Sequence, residues 1–315
     1  MRLVFKLFSG LLLLGIAGAV LFSAVNWVPD RSVEELKTRW ARPASQFIEI
    51  DGMHIHVLDE GPRNDAVPIV LLHGTSSSLH TWDGWANALI EERRVIRFDM
   101  PAFGLTGPSP DNNYTIEYYS QIVAAVLKKL QVERYVLAGN SLGGYVAWAT
   151  AILYPDQVEQ LILVDSSGYP FKTQSVPIAF KVASTPGLNR LMRYVLPRGI
   201  VESSLKNVYG NPSLVNTELI DRYFDLASRA GNRQALVERF RQTQPGLMAK
   251  KVSQIHQPTL ILWGGRDQLI PAQYGKRFHK EIAGSKLIIF DELGHVPQEE
   301  NPLITVAAVK EFLAH

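Results

Sequence analysis

Three residue types with the chemistry of acyl transfer stand in settings that let them act together. Gly139-Asn140-Ser141-Leu142-Gly143-Gly144 follows the apolar run RYVLA and precedes LGGYVAWATAILY, which has helical spacing. A G-x-S-x-G between a strand and a helix is a sharp turn. It needs small residues because backbone segments close on one another and the serine takes up strained φ/ψ. The turn lifts the Ser141 hydroxyl above the strand end and aims the helix's first N–H groups at the place where negative charge develops. The hydroxyl needs a base, and the base needs an orienting carboxylate. With such an elbow the chain order is nucleophile, acid, histidine.

His295 fits the last position, in the loop of FDELGHVPQEENP between an apolar strand and the final helix. Of the other histidines, His54 and His56 fall in an early hairpin, His73 heads a different loop and His315 is terminal, while His80, His256 and His279 have no strand-end setting. The acid expected is Asp267 in LWGGRDQLIP, directly after TLILW; its rival is Asp165, ending QLILVDSS. Asp165 is read instead as a cap where the following helical region begins. The oxyanion would take one N–H from Leu142 and one from the loop His73-Gly74-Thr75-Ser76, with Thr75 first and Ser76 second. His73 is expected to brace that loop, and Asp99, in DMPAFG, to hold its own loop through backbone hydrogen bonds.

The elements that must position these residues alternate. FIEIDG and MHIHVLDEG read as an antiparallel hairpin about Asp51-Gly52. VPIVLLHG, RRVIRFDMP, RYVLAG, QLILVD, TLILWG and KLIIFD read as strands. Helical spacing covers Leu79–Glu91, Ile116–Leu130, Leu142–Tyr154 and Pro302–Leu313. This implies a mostly parallel sheet covered on both faces. Between about Ser166 and Ser253 no strand signal intervenes, and the text turns wholly helical, as an inserted cap would. The expected organisation is residues 1–28 as a membrane anchor or signal segment, 29–46 as a juxtamembrane linker with a short helix near Val33–Trp40, 47–165 and 254–315 as the core, and 166–253 as the helical cap.

Composition narrows the rest. The 315 residues are 46% hydrophobic and 20% charged, enough for one large core with an insertion. A net charge of +2 without a dense basic tract gives no reason to invoke nucleic acid. The absence of cysteine removes disulfides, thiolate metal sites and a cysteine nucleophile. No P-loop, no G-x-G-x-x-G after a strand and no metal-ligand spacing occurs, so neither cofactor nor metal is expected. From Leu7 to Val28 the chain carries no charge, and at about 1.5 Å per residue that run reaches across a hydrocarbon core of roughly 30 Å. Arg2 and Lys6 precede it, so the positive-inside rule predicts an anchored enzyme with its catalytic part on the non-cytoplasmic side, periplasmic or extracellular, or a secreted one if the segment is cleaved.

LLHGTSSSLHTWDGW, RFDMPAFGLTGPSP, GNSLGGYVAW, LILVDSSGYP, LWGGRDQLIP and ELGHVPQEENP together resemble the α/β-hydrolase superfamily from about Phe47 to His315. The pattern is similar to capped serine esterases and monoacylglycerol-lipase-like enzymes, and also to the hydrolases of meta-cleavage products, whose elbow often reads GNS-x-GG. The resemblance implies an eight-stranded sheet, a Ser141–Asp267–His295 triad and an ester substrate attacked by Ser141. Serine at 141 departs from haloalkane dehalogenases and epoxide hydrolases, which carry aspartate there. Phe180, Leu188, Leu191, Met192, Tyr194, Val195, Leu205 and Tyr209 are expected to line an acyl pocket. The alternative, a carbon–carbon bond hydrolase, would need arginines near an acidic dienoate, for which Arg190, Arg193 and Arg266 are available. A non-enzymatic binding module on the same fold would have lost one of the three catalytic residues.

Overall fold

The computed structural model describes residues 2–314, with side chains from 10 onward. Its helices in chain order are α1 (Arg2–Val25), α2 (Val33–Trp40), α3 (Asp83–Leu89), α4 (Ile116–Lys129), α5 (Leu142–Leu153), α6 (Ile178–Ser184), α7 (Leu188–Met192), α8 (Arg198–Val208), α9 (Thr217–Ala227), α10 (Asn232–Gln242), α11 (Gln273–Glu281), α12 (Pro297–Glu300) and α13 (Pro302–Leu313). Its strands are β1 (Ser45–Ile50), β2 (Met53–Glu60), β3 (Ile69–Leu72), β4 (Val95–Phe98), β5 (Tyr135–Asn140), β6 (Val158–Val164), β7 (Thr259–Gly264) and β8 (Lys286–Phe290).

The strands form one eight-stranded sheet in the order β1-β2-β4-β3-β5-β6-β7-β8. β2 pairs antiparallel with β1 and β4, and the remaining pairs are parallel. Alternate side chains of the central strands feed two separate cores, as a sheet buried on both faces requires. Leu72, Leu137, Leu163 and Ile261 pack with α4, α5 and α11 on one side. Leu71, Ala138, Ile162 and Leu262 pack with α3 and α13 on the other. Helix starts follow local chemistry: the Thr115 side chain accepts from the Tyr118 amide at α4, and Asn301 caps α13 with Pro302 in its first turn. Between β6 and β7 the chain is helical, with α6 to α10 and no strand among the described residues.

The N-terminal region departs from expectation. The apolar run is helical, but among the described residues no helix is long and apolar enough to cross a membrane. The side chains of Leu7, Phe8 and Ser9, which the sequence reading counted in the span, lie outside the described residues.

The stretch after α1 docks closely on the helical segment. Buried Asp225 of α9 accepts hydrogen bonds from Arg31 (2.6 Å), Arg39 (3.2 Å) and the Trp40 indole (3.0 Å). Arg233 of α10 pairs with Asp30 at 2.6 Å, and fully buried Leu36 packs against Leu105 and Leu226. Trp27 stacks on Tyr194, and the Val28 amide donates to the Tyr194 carbonyl. Without Asp225, Arg31 and Arg39 keep Glu35 and Asp221 as partners, but the buried Trp40 indole N–H loses its acceptor. Asp225→Ala is therefore expected to lower stability by roughly 2 kcal/mol in urea unfolding; an unshifted midpoint would show that this docking contributes nothing.

Candidate active site

Ser141 sits between β5 and α5 with φ 55° and ψ −114°, a region that costs of order 1–3 kcal/mol and persists only where neighbours over-determine it. They do so here. The Ser141 amide donates to the Val164 carbonyl, and the Ser141 carbonyl accepts from the Tyr145 amide and from both the amide and hydroxyl of Ser167. The glycines set the clearances. A Cβ on Gly139 would lie 2.1 Å from the Gly143 carbonyl oxygen, and one on Gly143 would lie 2.2 Å from that of Leu72. Only hydrogen fits at either position, so β3, β5 and α5 close together and carry Ser141 to the sheet's edge.

The acid and the histidine come from the two following strand ends. Asp267, after β7, is fixed by its own loop: its Oδ1 accepts from the amides of Leu269 (2.8 Å) and Ile270 (2.9 Å). Its Oδ2 is 2.7 Å from His295 Nδ1, and both side chains are buried. With Nδ1 donating to the carboxylate, Nε2 keeps its lone pair. His295 and Ser141 line the same cavity, of about 120 Å³, and are not hydrogen-bonded to each other in this structure. Such contacts commonly tighten only when substrate is bound.

The loop after β3 approaches from the other side. Thr75 lines this cavity and a second one of about 210 Å³, and Ser141 lies at the wall of both. Neither the Thr75 nor the Leu142 amide meets an acceptor among the described residues. Ser76, the second choice, has φ 60° and lines only the first cavity. His73 is fully buried; its Nε2 accepts from the Met100 amide (2.9 Å), so Nδ1 carries the hydrogen that reaches the Gly74 carbonyl (2.8 Å). Burial pushes its pKa down and keeps it neutral. It braces the loop, as its position suggested.

Asp165 differs from the sequence reading. Rather than capping the helical region, it stands at φ 44° at the end of β6, beside Asp267 and His295. Its Oδ1 accepts from the Gly264 amide at 2.9 Å, and its Oδ2 has no partner. Burial and the neighbouring Asp267 carboxylate push its pKa well above the ordinary value. The histidine's hydrogen-bond partner is Asp267, at 2.7 Å, and Asp165 makes no hydrogen bond to it.

Three supports were missed. The Asn140 amide donates to the carbonyls of Val164 (3.2 Å) and His295 (2.9 Å), tying the elbow to the histidine loop. Glu300 accepts from the amides of Gly210, Asn211 and Gly294, and the His295 amide donates to the Val208 carbonyl, so the end of α8 clamps that loop. Glu299 binds Arg222 and, at 2.9 Å, the hydroxyl of Tyr223, which lines the first cavity. Asn140 stood in view inside the motif, but no spacing signal marks Glu299 or Glu300. Of the expected pocket residues, Phe180, Met192 and Leu205 line the first cavity, Leu188, Leu191 and Tyr194 are exposed, Val195 bridges to Trp27, and Tyr209 is buried elsewhere.

The same residue types recur away from the cavities. Ser45 Oγ is 2.7 Å from His56 Nε2, and His56 Nδ1 is 2.7 Å from Asp99 Oδ2. Asp99 also accepts from the amides of Leu79 and Leu105, both at 2.8 Å. Burial alone would raise its carboxyl, but His56, His73 and His80 outweigh that and hold it at about 2. This triplet bolts β1, β2 and the loop after β4 together, and Ser45 lines neither cavity. Hydrogen-bonded geometry without room for a substrate or a waiting oxyanion site is structural.

An eight-stranded sheet with antiparallel β2, a strained serine elbow and an acid–histidine pair on successive strand ends define a protein of the α/β-hydrolase class. The chain belongs to this family, since a family profile described as alpha/beta hydrolase fold matches residues 67–302. It is similar to a 2-hydroxy-6-oxo-2,4-heptadienoate hydrolase of Pseudomonas putida, 30% identical over 84% of this chain and 94% of that one. Among solved structures it is similar to a membrane phospholipase A described as a bacterial virulence factor (TM-score 0.74, 25% identity, 100% and 98% of the two chains). It also shares the fold of a lipase-like protein of Acinetobacter baumannii (TM-score 0.73, 23% identity, 90% and 96% covered).

The two Ser–His–Asp arrangements make different predictions toward an acylating probe. A fluorophosphonate is expected to modify the peptide bearing Ser141 and to leave Ser45 untouched, as read by mass spectrometry of the digested protein. Labelling of Ser45 would show that the cavity is not what distinguishes them.

Proposed function

We propose that this protein is a serine hydrolase of carboxylic esters, acting through an acyl-enzyme on Ser141. The observation that carries the reading is the 2.7 Å Asp267–His295 pair, whose free Nε2 belongs to the same cavity as Ser141. Ser141 Oγ attacks the ester carbonyl as its proton passes to His295 Nε2, and the amides of Thr75 and Leu142 receive the oxyanion. Each such donor contributes about 3 kcal/mol of transition-state stabilisation. His295 returns the proton to the leaving alcohol. Water then attacks the acyl-enzyme by the same path in reverse, releasing acid and restoring Ser141.

The geometry also supports an orientation for the substrate. The leaving oxygen must meet His295, which lines the first cavity and not the second, while Leu142 lines the second. The alcohol part therefore belongs in the first cavity and the acyl part in the second. The helical segment between β6 and β7 supplies much of both walls and acts as a cap.

The Pseudomonas putida relative is named for carbon–carbon bond hydrolysis of a dienoate, the second reading for this chain. That chemistry would put an acidic leaving part in the first cavity and ask for a free cation there. Arg222, next to the cavity-lining Tyr223, is paired with Glu299; Arg233, which lines the first cavity, is paired with Asp30 through Nη2 alone, and its buried Nε and Nη1 have no partner, which is the observation that favours this second reading. Arg190 and Arg193 are exposed, and Arg266 is paired with Glu292 outside both cavities. The rest of the first cavity's lining, with Phe103, Phe180, Met192, Leu196, Leu205 and Leu236, is largely apolar and supports a neutral alcohol part and hence the ester.

Two experiments test this. p-Nitrophenyl esters of graded chain length should be turned over by the full chain, with kcat lower by at least about 10⁴-fold in Ser141→Ala. A well-folded protein inert toward every ester, but active on a vinylogous diketone acid, would overturn the ester reading. Separately, Asp267→Asn should cost about 10⁴ in kcat, because it reverses the hydrogen bond that fixes the imidazole tautomer. Asp165→Asn, which leaves the Asp267–His295 hydrogen bond in place, should cost less than about tenfold. The opposite ranking would make Asp165 the acid.

A further inference from the structure

The second cavity contains a cation that nothing in the fold uses. Arg239, in the last turn of α10, lines it together with Tyr114, Tyr119, Tyr145, Tyr169 and Phe240. Its guanidinium makes no hydrogen bond and no ion pair among the described residues, and its one ring contact is with Phe240, 5.2 Å from the centroid. The neighbouring arginines of the same helix are paired, Arg233 with Asp30 and Arg241 with Glu238. Among the residues lining this cavity the one carboxylate is Glu117; it is exposed and does not pair with Arg239. Burial pushes the Arg239 pKa below its ordinary value, opposed only by the phenol of Tyr119, yet a guanidinium stays charged in a protein. Arg239 is half-buried, and a guanidinium without a protein partner at a cavity wall is open to an anion brought into that cavity.

We propose that the second cavity is a subsite for an acyl group ending in a carboxylate, which pairs with Arg239 while its ester carbonyl is held at Ser141. The inference rests on the ester-hydrolase reading and deepens it: the substrate class is a half-ester of a dicarboxylic acid. Three observations converge on it. The cavity shares Ser141, Thr75 and Leu142 with the reaction centre, so what it holds is contiguous with the scissile bond. It lies on the side away from His295, where the acyl part goes. Much of its lining is aromatic or apolar, with Tyr119, Tyr145, Phe171, Phe180, Phe240 and Leu269, and suits a methylene spacer. A single guanidinium matches a singly charged carboxylate, and no second basic residue lines the cavity to meet a phosphate dianion. Favourable placement of a cation at the C-terminal end of α10 offers a simpler role for Arg239, but that role needs neither the cavity nor its shared wall with Ser141.

The test compares esters of equal acyl length with and without the terminal charge: mono-p-nitrophenyl adipate against p-nitrophenyl hexanoate, and the suberate against the octanoate. The full chain is expected to prefer the charged member by at least tenfold in kcat/KM for one of the two lengths. That preference ratio should fall at least tenfold in Arg239→Met, with partial recovery in Arg239→Lys. Arg239→Gln provides a second neutral variant should Met disturb α10, with folding checked by circular dichroism. A wild-type ratio at or below one at both lengths, or the same ratio in the neutral variants, overturns the subsite while leaving the esterase reading intact. If no ester is turned over, binding decides it. Calorimetry on the Ser141→Ala protein should show monomethyl adipate binding at least tenfold tighter than methyl hexanoate, a difference lost on adding Arg239→Met. Equal binding of the two would overturn the subsite independently of catalysis.

Discussion

Everything at the site depends on how closely three backbone segments meet beneath Ser141. Gly139 at the end of β5, Gly143 at the start of α5 and the Leu72 carbonyl at the end of β3 lie too close for a side chain on either glycine. That packing forces the turn and places Ser141 in its strained conformation. It also leaves the Leu142 amide, first in its helix, without an acceptor. The same closure sets the Thr75 loop opposite, since that loop continues directly from β3. The strained conformation is held by the Ser141 amide donating to Val164 and by Tyr145 and Ser167 donating to the Ser141 carbonyl, so the strain and the unpartnered Leu142 amide are two results of one packing constraint.

The rest of the site is fastened to this point from outside the sheet. Asn140 reaches from the elbow to the His295 carbonyl, and Glu300 gathers three amides from the histidine loop and the end of α8. The helical segment that contributes α8 is itself pinned by Asp225 and Arg233 to the chain that follows α1. Position therefore passes from the N-terminal region through α9 and α10 to the walls of both cavities. The histidine's orientation is shared between Asp267, which sets its tautomer, and Val208, which receives its backbone amide.

What was legible in the sequence follows from which signals are local. Ser141 announced itself through glycines at fixed offsets between a strand and a helix. Asp267 and His295 followed from strand ends, because an apolar run stopping at a polar loop is visible without knowing the fold. The strand pattern was readable for the same reason: β3, β5 and β7 are buried along their whole length and so appear as unbroken apolar text. Helix α11 was passed over because its buried face is narrow, resting on Gly275 and Phe278 amid charged residues. Asp225, Glu299 and Arg233 carry no local signal, since their partners lie far away along the chain. The membrane-span expectation rested on an unbroken apolar run; that run is helical, but no helix among the described residues is long and apolar enough to cross a membrane. Asp165 was given a local capping role because the carboxylate beside it comes from another strand.

The two cavities have a consequence for the order of events. They meet at one serine, so on the proposed reaction the covalent intermediate fills one chamber while the other stands vacated by the departed alcohol. The second reactant must arrive through that emptied chamber, on the face where His295 waits. Its largely apolar walls make water a poor tenant and a longer alcohol a good one. On that proposed reaction, the partition between hydrolysis and transesterification follows from the shape of the first chamber and from what else is dissolved around the protein.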